Sequence, residues 1–226
     1  MTDHIQTEIN DGVLEIRMNR PKKKNALTPE MYSALADALL GADDDRRIRV
    51  VWITGMGDAF TSGNDINSFI REGRDADSGL DADRFLPALA TVETPFIAAV
   101  NGMAIGIGST MLLHCDMVHA TENASFCFPF TNLGIFPEAA STMVLPFIAG
   151  HQKAMELFLM GERFDLETAC DAGMINHVFA PEDLEAESLA IAKRLAQKPA
   201  RALRITKRLV RRGYPDLVKA MEEESP

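Results

Sequence analysis

Alternation with a period of two opens the chain. Ile5, Thr7 and Ile9 alternate with polar residues up to Asn10-Asp11-Gly12, and Leu14, Ile16 and Met18 alternate with Glu15 and Arg17 beyond it. This is the pattern of a β-hairpin with one face turned inward. The period then changes. Thr28-Pro29 supplies an N-cap and a first-turn proline, and Met31, Leu35, Ala38 and Leu39 recur at helical spacing, which predicts a helix ending near Gly41. Residues 48–54 and 95–100 are short apolar runs closed by Gly55 and by Asn101-Gly102, read as strands buried in a sheet. Residues 63–70 can begin a helix, and the charged, glycine-containing stretch 71–84 reads as a mobile surface loop. Short strands are expected at 117–120 and 125–128. Helical patterns follow at 138–145, 151–160, 166–172, 184–197 and 200–212, expected to pack on the sheet rather than extend it. Repeated strand-loop-helix units point to an α/β fold whose ligands collect at strand ends. With no internal repeat, low-complexity tract or linker, the expectation is one domain over 1–226, its core at about 1–195 and a trailing helical region at about 196–226.

Composition narrows the function classes. A chain of 226 residues that is 46% hydrophobic can fill a core, which excludes a disordered chain. A net charge of −10 opposes phosphate backbones and anionic bilayers, so neither nucleic acid nor membrane is expected as a partner. No stretch approaches the roughly 20 apolar residues of a bilayer span, and the first ten residues lack a signal-like core, so a soluble cytoplasmic protein is expected. Cys115, Cys127 and Cys170 lack CxxC spacing and read as buried thiols. No metal is expected either. The histidines lack HExxH spacing, and the calcium-loop-like stretch at 75–86 has Leu80 and Leu86 at its sixth and twelfth positions.

Two glycine loops carry the candidate chemistry: Phe60-Thr61-Ser62-Gly63-Asn64-Asp65-Ile66 and Asn101-Gly102-Met103-Ala104-Ile105-Gly106-Ile107-Gly108. Each follows a buried run and precedes a helical one, and free amides at helix starts bind negative oxygen. Two amides aimed at one point make an oxyanion hole. The same glycines also serve tight packing or positive φ alone. Neither loop reads as GxGxxG or GxxxxGK[ST], which disfavours a dinucleotide or P-loop site.

Taken in order, Asn19-Arg20-Pro21 with Asn25-Ala26-Leu27, the loop at 60–66, Ala99-Val100-Asn101-Gly102 and Cys115-Asp116 resemble the crotonase superfamily, whose members act on acyl-CoA thioesters. The resemblance runs from about Ile9 to the end of the chain. It implies a superhelix of ββα units with a C-terminal helical region, a homotrimer or dimer of trimers, and an oxyanion hole built from the amides of Asn64 and Ile107. It also implies that relatives run on past Pro226, so the chain is expected to be truncated. Contacts to the acyl-CoA fall to Lys23, Lys24, Ala26, Ser62, Gly63, Asn64, Asp65, Ile66, Gly106 and Phe130.

Hydratases of this superfamily position water with two glutamates, and those places hold Thr110 and Phe130 here, neither able to act as a base at neutral pH. A carboxylate stands slightly later, in Gly134-Ile135-Phe136-Pro137-Glu138-Ala139-Ala140-Ser141. This segment resembles the peroxisomal-type Δ3,Δ2-enoyl-CoA isomerases, which implies Glu138 as the catalytic base. Desolvation by its apolar neighbours raises such a carboxyl's pKa and a helix terminus lowers it; a first-turn glutamate that only stabilises its own helix is the other reading. The reaction implied is transfer of a proton from C2 to C4 of a 3-enoyl-CoA through an enolate, with no cofactor besides the CoA of the substrate. Hydration or other enolate chemistry, and a non-catalytic CoA-binding or scaffolding role, stand as alternatives. Lys22-Lys23-Lys24 reads equally as a CoA phosphate contact or a solvated run, and Lys207-Arg208 with Arg211-Arg212 reads as a solvated helix face.

Overall fold

Strands β1 (Ile5–Asn10) and β2 (Val13–Met18) meet across a two-residue turn, with Asn10 paired to Val13. Asp11 and Gly12 have φ of 51° and 82°, the left-handed pair of the tight turn that matches strand twist. The computed structural model describes residues 3–65, 82–214 and 216–224. Its further strands are β3 (Val50–Gly55), β4 (Ala59–Thr61), β5 (Phe96–Val100), β6 (Met103–Ile105), β7 (Met117–Thr121), β8 (Ser125–Cys127), β9 (Arg163–Asp165) and β10 (His177–Phe179). The larger sheet has six strands in the order β1-β2-β3-β5-β7-β10, parallel from β2 onward. The smaller has the order β4-β6-β8-β9, parallel except for β9.

Helices cover both faces of the larger sheet. They are α1 (Pro29–Asp44), α2 (Ala82–Thr91), α3 (Ile107–Thr110), α4 (Ser141–Ala149), α5 (His151–Met160), α6 (Leu166–Asp171), α7 (Leu184–Ala196), α8 (Ala200–Arg211) and α9 (Leu217–Glu223). Leu14, Ile16 and Met18 join Met31, Leu35 and Leu39 of α1 in the main core. On the opposite face Val13, Val50, Trp52, Ile97 and Ala99 pack under Leu184, Ala192 and Ala196 of α7. A sheet covered on both sides explains why β3 and β5 are uninterrupted apolar runs.

Several expectations change. The inward face expected of the hairpin holds in β1 at Ile5 and in part at Ile9, with Thr7 exposed, and in β2 both faces are covered because α7 packs on the second. Glu15 is therefore buried and satisfied by Arg17 at 3.0 Å and Asn10 at 3.2 Å. Helix α1 passes through Gly41 to Asp44, since Ala42 continues the buried stripe. The charged stretch 71–84 is expected as a loop, yet α2 begins at Ala82; residues 66–81 lie outside those described. The two glycine loops begin with short strands, β4 and β6, which found the smaller sheet. The last third of the chain extends both sheets, β10 joining β7 and β9 joining β8. Cys170 is exposed, whereas Cys127 is buried and Cys115 partly so. The basic cluster of α8 divides: Arg208 and Arg212 are exposed as expected, but Arg211 is half-buried and Lys207 is buried against Asp116 at 2.7 Å and Thr94 O at 3.0 Å, while Leu209 and Val210 are exposed.

Candidate active site

The first glycine loop is held by a segment from near the start of the chain. Buried Asn25, at φ 54°, donates to Met56 O and Ala59 O and accepts from Arg20 N. Ser62 N donates to Lys24 O, Leu27 N to Gly63 O, and Asp65 N to Leu27 O, all at 2.8–2.9 Å. The Arg20 guanidinium closes the joint on Asp65 at 2.6 Å and on Ala26 O at 3.0 Å. Because Gly63 O and Asp65 N both point at Leu27, alternation along an extended chain turns the Asn64 N–H the other way. Among the described residues that N–H has no acceptor.

The second loop ends in a helix start. Gly106, at φ 56° and ψ −121°, caps α3, and its carbonyl accepts from both Ser109 N and Thr110 N. The Ile107 N–H is left without an acceptor among the described residues. Ser109 Oγ donates to Ala104 O and accepts from Cys127 N, tying α3 to β6 and β8. The two loops touch where they lack side chains. A Cβ on Gly63 (φ 88°) would lie 2.8 Å from Ile105 O, and one on Gly108 would lie 2.6 Å from Thr61 Cγ2. The glycines thus serve close packing, which leaves two unbonded amides on abutting loops.

Glu138 stands between the 3-10 turn Thr131–Leu133 and α4, in irregular backbone. The helix expected from residue 138 begins at Ser141, because Ala139 and Ala140 take φ of 61° and 51°. Left-handed backbone at two non-glycine residues costs on the order of 1 kcal/mol each. The Glu138 side chain is half-buried and accepts no hydrogen bond from any described residue. Burial, reinforced by the charge of Glu224, pushes its carboxyl up to about 7. A first-turn glutamate stabilised by its own helix would be lowered, so that reading is set aside.

Tyr32 of α1 connects the two halves. Its hydroxyl donates to Asn64 Oδ1, and burial together with the Glu138 charge raises its pKa well above the ordinary value, so the proton stays on. Glu224, just past α9, reaches across to accept from Ala140 N at 2.6 Å and from the N–H and hydroxyl of Thr142. From the 3-10 turn Met111–His114, buried His114 bonds Ala139 O at 2.6 Å through Nε2. A carbonyl only accepts, so Nε2 carries the proton. Burial, then the charges of Arg211 and Lys207, holds the His114 pKa at about 4, so the ring is neutral.

Ser62, Gly63, Asn64, Asp65 and Gly106 lie on the abutting loops, with Ala26 beside them; Ile66 falls outside the described residues. Thr110 and Phe130 are both buried, and neither brings a carboxylate. Lys23 and Lys24 are exposed near Ser62, but Lys24 is already paired with Asp58 at 2.6 Å. Tyr32, His114 and Glu224 carried no motif. Tyr32 reads as one more residue of an amphipathic helix, and Glu224 as one of several glutamates in a polar tail.

Comparison with known proteins matches residues 8–225 to the family described as enoyl-CoA hydratase/isomerase. The chain is 35% identical over 220 residues to human enoyl-CoA delta isomerase 2, covering 95% of this chain and 56% of that protein. It is 34% identical to the 1,2-epoxyphenylacetyl-CoA isomerase of Escherichia coli K12, covering 93% and 82%. A crystal structure of an enoyl-CoA hydratase/isomerase from Pseudoalteromonas atlantica T6c superposes with a TM-score of 0.90 at 43% identity, covering 98% and 88%. With the match running through both glycine loops and the Glu138 segment to the last helix, the chain belongs to the enoyl-CoA hydratase/isomerase family of the crotonase superfamily.

Proposed function

We propose that the protein is an enoyl-CoA isomerase that moves a 3-enoyl-CoA double bond into conjugation with the thioester. The observation that carries this reading is the half-buried Glu138 carboxyl, to which no described residue donates a hydrogen bond and which burial and the Glu224 charge push up to about 7. A carbon acid beside a thioester is too weak for a carboxylate to ionise in water, so the enolate oxygen must be stabilised as the proton leaves. The Asn64 and Ile107 amides fill that role, each worth about 3 kcal/mol in a site closed to water. Glu138 takes the proton from C2; the electrons of that C–H bond pass into the enolate, and the C3=C4 bond is replaced by C2=C3 as Glu138 returns the proton to C4. One base performs both transfers, and the step needs no metal or redox group.

Thr110 and Phe130, where a hydratase has its glutamates, support isomerisation over hydration, and buried Phe130 helps exclude water from the product. The names of the human and Escherichia coli relatives also favour an isomerase. The segment with exposed Lys23 and Lys24, together with Ala26 and Ser62, is proposed to meet the nucleotide end of CoA. A trimer is the proposed assembly, supported by Phe136, Phe147, Leu159 and Met160, exposed apolar side chains on and beside α4 and α5. Separate incubations with 3-enoyl-CoA and 2-enoyl-CoA test the reaction by chromatography. Conjugated product from the first without hydroxyacyl-CoA from either supports the proposal. Hydroxyacyl-CoA without isomerisation assigns hydration, and no turnover of either leaves a binding role.

A further inference from the structure

The backbone after Glu138 does not hold itself. Ala139 and Ala140 both stand in the left-handed region, which L-residues with a Cβ avoid, and such outliers persist only where the surroundings over-determine them. Here the surroundings come from two distant parts of the chain. His114 donates Nε2–H to Ala139 O from the 3-10 turn that follows α3, and the Glu224 carboxylate accepts from Ala140 N and from Thr142. Both supports are themselves fixed. His114 lies in the core, and its own carbonyl accepts from Arg211 at 2.6 Å. Glu224 follows α9, which buries Leu217, Ala220 and Met221 and packs against α2.

We propose that His114 and Glu224 are positioning residues that clamp the left-handed Ala139-Ala140 turn and so fix where Glu138 presents its carboxyl group. The proposal rests on Glu138 being the base. A helix cap alone would explain the bonds to Thr142, because a carboxylate suits a helix N-terminus. It would not explain a bond to the residue two after Glu138, or the choice of an acid beside a half-buried acid. Like charge at this distance disfavours ionisation of Glu138, so Glu224 also sets the pH at which the base becomes available. Among the described residues the charge acting on Glu138 is that of Glu224 from the end of α9, Glu138 in turn acts on the neutral Tyr32 of α1, and the charges acting on His114 are Arg211 and Lys207 from α8.

Glutamate-labelled protein followed by carbon NMR reads the Glu138 titration directly, assigned by its loss in Glu138→Gln. In Glu224→Gln the Glu138 midpoint is expected to fall by about half a unit or more, the acid limb of kcat/KM for 3-enoyl-CoA moving with it. His114→Phe, which lacks the donor, is expected to lose about tenfold or more in kcat with KM little changed. His114→Gln, which restores an N–H, is expected to recover most of that loss. An unmoved Glu138 midpoint in Glu224→Gln overturns the proposal, as does an equal loss in His114→Phe and His114→Gln. If neither His114 variant folds, Glu224→Ala, which removes the acceptor as well as the charge, decides by the same reading: a kcat unchanged from wild type overturns the clamp. The titration is measurable whether or not the protein turns over 3-enoyl-CoA, so failure of the clamp and failure of the isomerase reading are separate results.

Discussion

Replacing Glu138 by Gln should make the folded protein more stable while removing its activity, and the gain should depend on pH in a way fixed by the carboxyl's environment. In the unfolded chain this carboxyl titrates near 4.5, and in the folded protein at about 7. Between those values the folded state binds more protons than the unfolded one. The stability this group contributes is fully present below about pH 4.5, declines as pH rises, and is lost above about 7. The difference of the two pKa values corresponds to about 3 kcal/mol. Glutamine imitates the protonated form in shape and does not titrate. Urea denaturation of wild type and Glu138→Gln should therefore agree within about 1 kcal/mol at pH 4.5 and differ by about 3 kcal/mol in favour of the variant at pH 8. Isomerisation by the variant should fall by about a thousandfold. A variant less stable than wild type at pH 8, or a gap that does not change with pH, would refute the claim that a costly buried carboxylate is kept for its chemistry.

Three further outcomes probe the surrounding frame. Ile107→Pro removes one N–H at the first position of α3, where proline suits a helix, and should lower kcat by about a hundredfold or more in a protein that still folds by circular dichroism. Gly63→Ala places a methyl 2.8 Å from Ile105 O on a backbone at φ 88° and should cost about 2 kcal/mol or more in urea melts, with loss of activity. Lys207→Met breaks a buried ion pair with Asp116 and should destabilise by about 3 kcal/mol; a solvated lysine would give a change within about 0.5 kcal/mol.

The hairpin, α1 and the four helices between residues 151 and 211 are legible in the sequence because their signals are local, whereas α9 is not expected from it. Asp11-Gly12 demands a tight turn, Thr28-Pro29 starts a helix, and α5 and α7 carry their own apolar stripes. What escapes depends on distant partners. Strands of three residues such as β4, β6 and β9 have too few positions for a period and exist because neighbouring strands pair with them. Lys207 and Arg211 of α8 turn inward because Asp116 and backbone carbonyls of Thr94, Ala90 and His114 offer partners that solvent would otherwise replace. At the site, the glycine loops and Glu138 are legible as motifs. The left-handed turn after Glu138 is not, since alanine gives no sign of positive φ and its supports lie 25 and 84 residues away.

The most direct measurement is a crystal structure with a bound, slowly reacting acyl-CoA analogue. The thioester oxygen is expected within hydrogen-bonding distance of both Asn64 N and Ile107 N, with the Glu138 carboxyl over C2 and C4 of the acyl chain. A thioester oxygen bound elsewhere, or a Glu138 carboxyl turned away from those carbons, would contradict this mechanism.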